Sequence, residues 1–256
     1  MNVQLVPTRT ELPGQPQQRR HRPAGRWTTF MACLRWDFGF TCPFCLLHEA
    51  DLSEHGATRE GMLNVEHLAR RETNPERQHD YDNAFLACRF CNSSRGRKPS
   101  TDADGRTLLD PTRAAWAAHF VWRNEKFLCP KPGDADAAYT WKTYALDDEK
   151  KVTRRQWRRE SLPIYRSAVE EFPDIIAAWH REARSTRDPA QAKSALDKAR
   201  NLQRQVDIAV KVLIRFSVVP ADAPERCRCG DGEHALPAWL AQQSQSLSLP
   251  ASPTQR

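Results

Sequence analysis

The sequence predicts an α+β fold in which a small module of two strands and a helix precedes a mainly helical C-terminal region. Three observations predict it: two Cys-x-x-Cys pairs, short apolar runs between them that suit strands, and helical periodicity after Val152. The chain has 256 residues, of which 39% are hydrophobic, so it has room for one large domain or two small ones. We therefore expect a modest core and some unpacked chain.

Composition divides the chain into five segments. Residues 1–26 contain four prolines and a basic cluster without hydrophobic periodicity, and we expect a disordered basic arm there. Residues 27–122 contain the cysteine pairs and form the first domain, followed by a loop-rich connection over residues 123–150. Residues 151–216 are predicted to be helical, and residues 217–256, rich in Pro, Ser and Gln, are expected to form a flexible tail.

The helical segment is expected to contain three helices. Apolar residues recur at about 3.6-residue spacing until Pro163 interrupts the pattern, and a second helix is expected after Pro173. The third helix should begin with Asp188 as its N-cap and Pro189 in its first turn. We expect these helices to pack on one another or on the first domain, and they could also bind DNA, a partner protein or a second copy of the chain.

Charge and hydropathy restrict the class of protein. No apolar run approaches the roughly 20 residues that a membrane helix needs, and the N-terminus lacks the apolar core of a signal peptide. We therefore expect a cytoplasmic protein with no membrane partner. The net charge of +7 is weak evidence for a polyanionic partner, since solubility alone could explain it. Basic segments flank a slightly acidic middle, which suits a metal site held against phosphates, although solvated helix faces are the simpler explanation.

Four of the eight cysteines form the two pairs, Cys42 with Cys45 and Cys88 with Cys91. Without a secretory signal, disulfides are not the default, and two such pairs supply the four thiolates of a closed structural zinc site. A redox Cys-x-x-Cys is the alternative, but neither pair lies in a βαβ pattern. The 42 residues between the pairs exceed the roughly 15–20 of an ordinary zinc ribbon, so a further segment is inserted there.

The inserted segment carries polar residues beside short apolar runs. One run, residues 63–65, ends at Glu66 and His67, and another leads into Cys88. A helix can begin near the second cysteine pair, with Asn92 one residue past the last thiolate. A strand–turn–strand–helix unit would bring Glu66, His67 and Asn92 together, and a zinc ion would brace it.

This arrangement resembles the HNH endonuclease family, in a His-Asn-Asn variant, whose fold is the ββα-metal or His-Me finger. The resemblance covers residues 36–100 and rests on an acidic–His dipeptide after a strand, on Asn83 nine residues before Asn92, on Cys-x-x-Cys-Asn and on a basic run after it. Each feature is weak alone, and their order and spacing together are specific. A looser similarity continues over residues 108–122.

The resemblance implies a mechanism. His67 would act as the general base that takes a proton from the attacking water. Glu66 and Asn92 would hold one divalent ion, Mg²⁺ or a similar hard cation, which would stabilise the leaving oxygen. Asn83 would fix the loop opposite His67 and orient the imidazole. The implied substrate is DNA, with RNA not excluded, and defence against phage or mobile DNA is a role compatible with the family.

Two departures from the family pattern bear on the metal. Glu66 stands where aspartate is more frequent, and its side chain reaches one methylene further. Asn92 stands at the third signature position instead of histidine, and its neutral amide oxygen favours a hard cation. Asn64, two residues before Glu66, is a further possible outer ligand.

Two sets of basic residues could contact phosphates. The first set follows the expected metal helix: Arg95, Arg97 and Lys98. The second set is spaced i, i+4 on a later helix: Arg154, Arg155, Arg158 and Arg159. A solvated charge run explains the first set equally well, and a solvated bundle face is the alternative for the second.

Other functions stay open at this point. A zinc-ribbon nucleic-acid-binding module without catalysis is the main alternative, in which Glu66, His67 and Asn92 would be incidental. Cys227 and Cys229 with His234 could form a second metal site, although this set lacks a fourth ligand.

Overall fold

The computed structural model of the chain describes residues 2–6, 12–52, 62–220, 223, 229, 236–237, 240–241 and 245–250. The strands are β1 (Asn2–Leu5), β2 (Leu63–His67), β3 (Ala84–Cys88), β4 (Phe120–Arg123), β5 (Phe127–Pro130) and β6 (Gln245–Ser248). The helices are α1 (Met31–Asp37), α2 (Glu49–Leu52), α3 (Arg89–Arg95), α4 (Trp116–His119), α5 (Ala135–Tyr144), α6 (Glu149–Ser185) and α7 (Pro189–Arg215).

The described strands form three antiparallel two-stranded sheets, β1 with β6, β2 with β3, and β4 with β5. Together with the long helices α6 and α7, they confirm the predicted α+β class and the helical C-terminal region. Two-stranded sheets are marginal by themselves in water. Each sheet here is therefore stabilised mainly by what it packs against.

The β2–β3 hairpin and the helix that follows it form the centre of the first domain. In the hairpin, Leu63 pairs with Cys88, Glu66 with Phe85, and His67 with Ala84. Every residue of β3 is buried. Helix α3 begins immediately after β3, because the sulfur of Cys88 accepts a hydrogen bond from the backbone N–H of Cys91 and acts as the N-cap.

Aromatic side chains build the core around this hairpin. Phe44 lies beside Phe85 and stacks on Tyr144, with 4.1 Å between the centres of the Phe44 and Tyr144 rings. The indole of Trp116 donates a hydrogen bond to the Phe44 carbonyl at 3.1 Å. The first domain thus extends through α5, and the segment 123–150, expected to be loop-rich, contains both β5 and α5.

The expected disordered arm and flexible tail are partly ordered. Strand β1 pairs with β6, so the two ends of the chain form one sheet. Within the arm, the backbone N–H of Gln17 donates to the Pro111 carbonyl, and His21 is fully buried. The prolines, the basic cluster and the lack of hydrophobic periodicity predicted disorder in the arm, but polar and backbone contacts hold it against the first domain.

Helices α6 and α7 form a long antiparallel hairpin. The expected breaks at Pro163 and Pro173 are wrong, because α6 continues through both prolines for 37 residues. Each proline removes one helical hydrogen bond, and packing of the apolar stripe of α6 on α7 outweighs that loss. The predicted start of α7 is confirmed: Asp188 caps Ala190 and Pro189 is its first residue. None of the helices in the described part of the chain has both the length and the apolar character that a bilayer crossing requires.

Candidate functional site

The two cysteine pairs converge into one group of sulfurs, which we call the four-cysteine cluster. The sulfurs of Cys42, Cys45, Cys88 and Cys91 lie within 4.8 Å of one another, and all four residues are fully buried. The Sγ atoms of Cys45 and Cys88 are 3.6 Å apart, close to the roughly 3.8 Å between sulfurs of a tetrahedral zinc site. The cluster could therefore hold a metal ion such as zinc.

The four sulfurs influence one another's protonation. Burial raises the pKa of the Cys91 thiol well above its usual value. Burial also acts to raise the pKa of Cys45, but hydrogen bonds from the other three thiols lower it well below its usual value. Four adjacent thiolates in a buried space need a cation to offset their charge, and a divalent metal ion with a preference for sulfur supplies it.

Basic residues of α6 lie against the four-cysteine cluster. Lys151 is fully buried and donates to the carbonyl oxygens of Tyr144 and Ala145 at 2.6 and 2.8 Å. Arg155 is 2% exposed and donates to the Cys45 carbonyl at 3.2 Å. Positive charge beside the cluster favours the thiolate form of its cysteines, and the same two side chains join α6 to the first domain.

This burial corrects both interpretations of the basic face on α6 for two of its four arginines. Arg155 and Arg158 are 2% and 6% exposed, so neither side chain presents a surface to phosphates or lies on a solvated helix face. Arg158 forms an ion pair with the buried carboxylate of Asp51 at 2.6 Å. Arg159, by contrast, pairs with the exposed carboxylate of Glu125.

His67 ends β2 and faces the loop that connects β2 to β3. Its Nε2 atom lies 3.0 Å from the carbonyl oxygen of Gln78. A carbonyl can only accept a hydrogen bond, so Nε2 carries the proton and Nδ1 keeps its lone pair. Burial lowers the pKa of His67 below its usual value, which keeps the imidazole neutral at pH 7. The rings of His67 and Trp27 pack in a T-shaped arrangement, with ring centres 5.8 Å apart.

Asn83 joins the two ends of the same loop. Its Oδ1 accepts from the backbone N–H of Ala69 at 2.7 Å, and its Nδ2 donates to the carbonyls of Ala69 at 2.8 Å and Arg77 at 3.2 Å. Arg77 directly precedes Gln78, whose carbonyl accepts the hydrogen bond from His67. The Asn83 amide thereby holds in place the carbonyl that orients the imidazole.

Glu66 is a buried carboxyl group at the centre of the hairpin. It is 7% exposed, and its Oε1 lies 3.4 Å from Nε of Arg95 in α3. Burial raises the pKa of Glu66 to about 7, although the nearby Arg95 acts to lower it. The Glu66 side chain therefore faces α3, and its protonation changes near neutral pH.

The structure places the three proposed phosphate contacts in different environments. Arg95 is 1% exposed and donates to the carbonyls of Leu68 and Pro99 as well as pairing with Glu66. This corrects its assignment as a phosphate contact, because a surface phosphate cannot reach it. Arg97 and Lys98 are exposed, and Lys98 also donates to the carbonyls of Ser94 and Thr143.

Asn92 lies in α3 one turn before Arg95 and is half-buried. Residues three apart on a helix are neighbours on its surface, so Asn92 is next to Arg95, the residue of α3 that pairs with Glu66. A carboxylate and an amide oxygen are the donor types that Mg²⁺ accepts. Asn64, the possible outer ligand, pairs with Ala87 in the hairpin and is half-buried.

Two residues beside His67 were missed by the sequence reasoning. Gln78 contributes only its backbone carbonyl, and a backbone contact leaves no signature in residue type. Arg71 is exposed, and its guanidinium lies over the Trp27 ring at 4.7 Å. Its signal is the Arg-Arg pair that closely follows Glu66-His67, which a search for basic residues near the histidine would have found.

Comparisons of the chain with protein-family models, with curated proteins and with solved structures gave no significant match. No relative therefore assigns the chain to the HNH family, and the resemblance depends on the motif residues and on the geometry around them.

Proposed function

We propose that this protein is a metal-dependent endonuclease of the HNH type that hydrolyses phosphodiester bonds in DNA. One observation carries the proposal: the loop between β2 and β3 is pinned by Asn83 and presents the Gln78 carbonyl to His67. A hairpin held in this way orients an imidazole with one nitrogen available to take a proton. A nucleic-acid-binding module without catalysis has no need of such an arrangement.

His67 would be the general base. The hydrogen bond from Nε2 to Gln78 leaves Nδ1 able to accept a proton from water. Because burial lowers the pKa of His67, the neutral form predominates at pH 7. The same carbonyl would stabilise the imidazolium after the proton has moved.

Glu66 and Asn92 would hold the catalytic divalent ion. When bound, such an ion binds the scissile phosphate and stabilises the charge on the leaving oxygen. Arg95 supports this role by pairing with the Glu66 carboxylate at 3.4 Å, which offsets part of the cost of burying its charge. Glu66 must be ionised to bind a cation, so binding should strengthen as the pH rises through about 7.

Zinc would occupy the four-cysteine cluster and stabilise the hairpin and helix that carry this site. Cys88 ends β3 and Cys91 lies in the first turn of α3, so one ion fixes the angle between hairpin and helix. That angle determines where Asn92 stands relative to Glu66. Of the basic residues nearby, the exposed Arg71, Arg97 and Lys98 are suited to contact the phosphate backbone.

Plasmid cleavage tests the proposal. Purified protein with supercoiled plasmid and Mg²⁺ should nick or linearise the DNA, and His67→Ala should lower the rate by about 100-fold or more. His180→Ala is the matched control, because His180 lies on α6 far along the chain from the hairpin, and it should cut as fast as the wild type.

The outcome separates the two functions. If wild type and His67→Ala bind DNA equally and neither cuts with Mg²⁺, Mn²⁺ or Ca²⁺, the nuclease proposal is wrong and the binding module is correct. Equal zinc content in both proteins, measured by elemental analysis, ensures that the histidine change has not disrupted the fold.

A further inference from the structure

A second group of metal-ligating side chains lies outside the four-cysteine cluster. A ring nitrogen of His21 and the sulfurs of Cys33 and Cys229 lie within 4.8 Å of one another. His21 and Cys33 are fully buried, and Cys229 is half-buried. The three residues come from the N-terminal arm, helix α1 and the C-terminal segment, and His21 and Cys229 are 208 positions apart.

The spacing of these atoms fits a zinc ion. Nδ1 of His21 lies 3.2 Å from Sγ of Cys229, near the roughly 3.5 Å between a nitrogen and a sulfur ligand of tetrahedral zinc. The four sulfurs of the four-cysteine cluster also lie within 4.8 Å of one another. One imidazole and two thiolates suit a borderline-soft ion such as zinc and do not suit Mg²⁺.

A buried carboxylate lies near the second ring nitrogen of this histidine. Nε2 of His21 lies 3.9 Å from Oδ1 of Asp37, so Nδ1 is the nitrogen that faces the sulfurs. Asp37 is itself held by the hydroxyl of Tyr81 at 2.7 Å and by the backbone N–H groups of Arg20 and His21. A carboxylate behind the second nitrogen of a ligating histidine is the usual outer partner in zinc sites.

We propose that His21, Cys33 and Cys229 bind a second, structural zinc ion that fastens the N-terminal arm to α1 and to the C-terminal segment. The fourth coordination position is available to water or to a further donor. The sequence had paired Cys229 with Cys227 and His234, both of which lie outside the described residues. The proposal does not depend on nuclease activity, because it concerns how the ends of the chain are held.

The second zinc ion would also position the N-terminal arm on the β2–β3 hairpin. Arg19, two residues before His21, donates to the Ala84 carbonyl of β3 at 2.6 Å. Its guanidinium also lies over the Phe85 ring at 4.6 Å. A metal ion at His21 keeps this arginine against the strand that pairs with Glu66 and His67.

Zinc counting tests the site on the full-length protein. Elemental analysis should find two zinc ions per chain in the wild type, and one in His21→Ala and in Cys33→Ala. Cys129→Ala is the matched control, since Cys129 is a half-buried cysteine of β5 that belongs to neither cluster, and it should keep two. A wild type with one zinc ion, or variants that keep two, would overturn the proposal.

X-ray absorption at the zinc edge tests the wild type without any variant. Two loaded sites should give nitrogen as well as sulfur in the first coordination shell, and a shell of sulfur alone would contradict the second site.

Limited trypsin digestion tests whether the zinc ion attaches the N-terminal arm to the rest of the protein. Cleavage after Arg19 and Arg20 should be at least several-fold faster in Cys33→Ala than in the wild type, and equal rates would show that zinc does not hold the arm.

Discussion

At the scale of single residues, Asn83 and Asn92 illustrate two uses of the same side chain. Asn83 is 1% exposed and makes three hydrogen bonds to the backbone of one loop. Asn92 is half-buried on α3 and is the residue that we propose as a metal ligand. Substituting each residue should therefore affect different properties of the protein.

We expect Asn83→Ala to lower the free energy of unfolding by about 2 kcal/mol, because it leaves one N–H and two carbonyls of a half-buried loop without their side-chain partner. Asn92→Ala should lower it by no more than about 1 kcal/mol and still abolish Mg²⁺-dependent cleavage. Urea titration and plasmid cleavage measure the two effects. An Asn92→Ala protein that cuts normally would remove Asn92 from the metal site.

Glu66 should make stability depend on pH. Between its ordinary pKa and about 7, the unfolded chain has lost the Glu66 proton while the folded protein keeps it. Unfolding is therefore increasingly favoured as the pH rises through this range, and no further change is expected above it.

We expect Glu66→Gln to remove this dependence. In the absence of a catalytic divalent ion, the wild type should lose about 2 kcal/mol of unfolding free energy relative to Glu66→Gln between pH 5.5 and pH 8. Thermal or urea unfolding at both values measures it. Glu76→Gln, an exposed change in the connecting loop, should follow the wild type. A constant difference between Glu66→Gln and wild type would mean that the carboxyl group ionises normally.

At the scale of elements, α6 is joined to the first domain by cations. Arg155 donates to the carbonyls of Lys126, Cys45 and Leu146 at 3.1 to 3.2 Å. One side chain thus connects α6 to the first cysteine pair, to the turn between β4 and β5, and to the connection between α5 and α6.

We expect Arg155→Met to lower the free energy of unfolding by about 3 kcal/mol, because the change removes the donor to three carbonyls, two of them in buried contacts. It should also speed the release of zinc to a chelator, since a cation beside the thiolates is lost. Arg181→Met, an exposed change on the same helix, should alter stability by less than about 0.5 kcal/mol. Unchanged zinc release in Arg155→Met would show that α6 does not support the four-cysteine cluster.

At the scale of the whole molecule, we expect the two larger hydrophobic cores of the described residues to depend differently on metal. One core surrounds the four-cysteine cluster, and a separate apolar cluster lies between α6 and α7 with residues of β1 and β6. The first core contains the four cysteines themselves, whereas the second contains none of them.

We expect a strong chelator to unfold the first core and to leave the α6–α7 hairpin helical. Hydrogen exchange followed by mass spectrometry should show loss of protection over residues 63–95 and retained protection in α7 and the second half of α6. Re-addition of zinc should restore the protection. Simultaneous loss across the whole chain would mean that the two cores unfold as one unit.

Local patterns in the sequence were sufficient for part of this description. The spacing of the cysteines predicted a four-sulfur cluster, and apolar runs predicted a hairpin and helix between and beside them. Asp188 and Pro189 correctly predicted the start of α7. These features are readable because metal ligation, capping and strand alternation depend on residues close together in the chain.

Long-range packing decided the rest. Arg95, Arg155 and Arg158 belong to basic runs that suggested surface charge, and each is buried against a carboxylate or carbonyls from a distant segment. Pro163 lies inside α6 because the packing of α6 on α7 stabilises the helix by more than the one lost hydrogen bond costs. Cys229 meets His21 and Cys33 only in the folded chain, since a contact across 208 positions depends on how the whole molecule packs and leaves no periodic trace in its sequence.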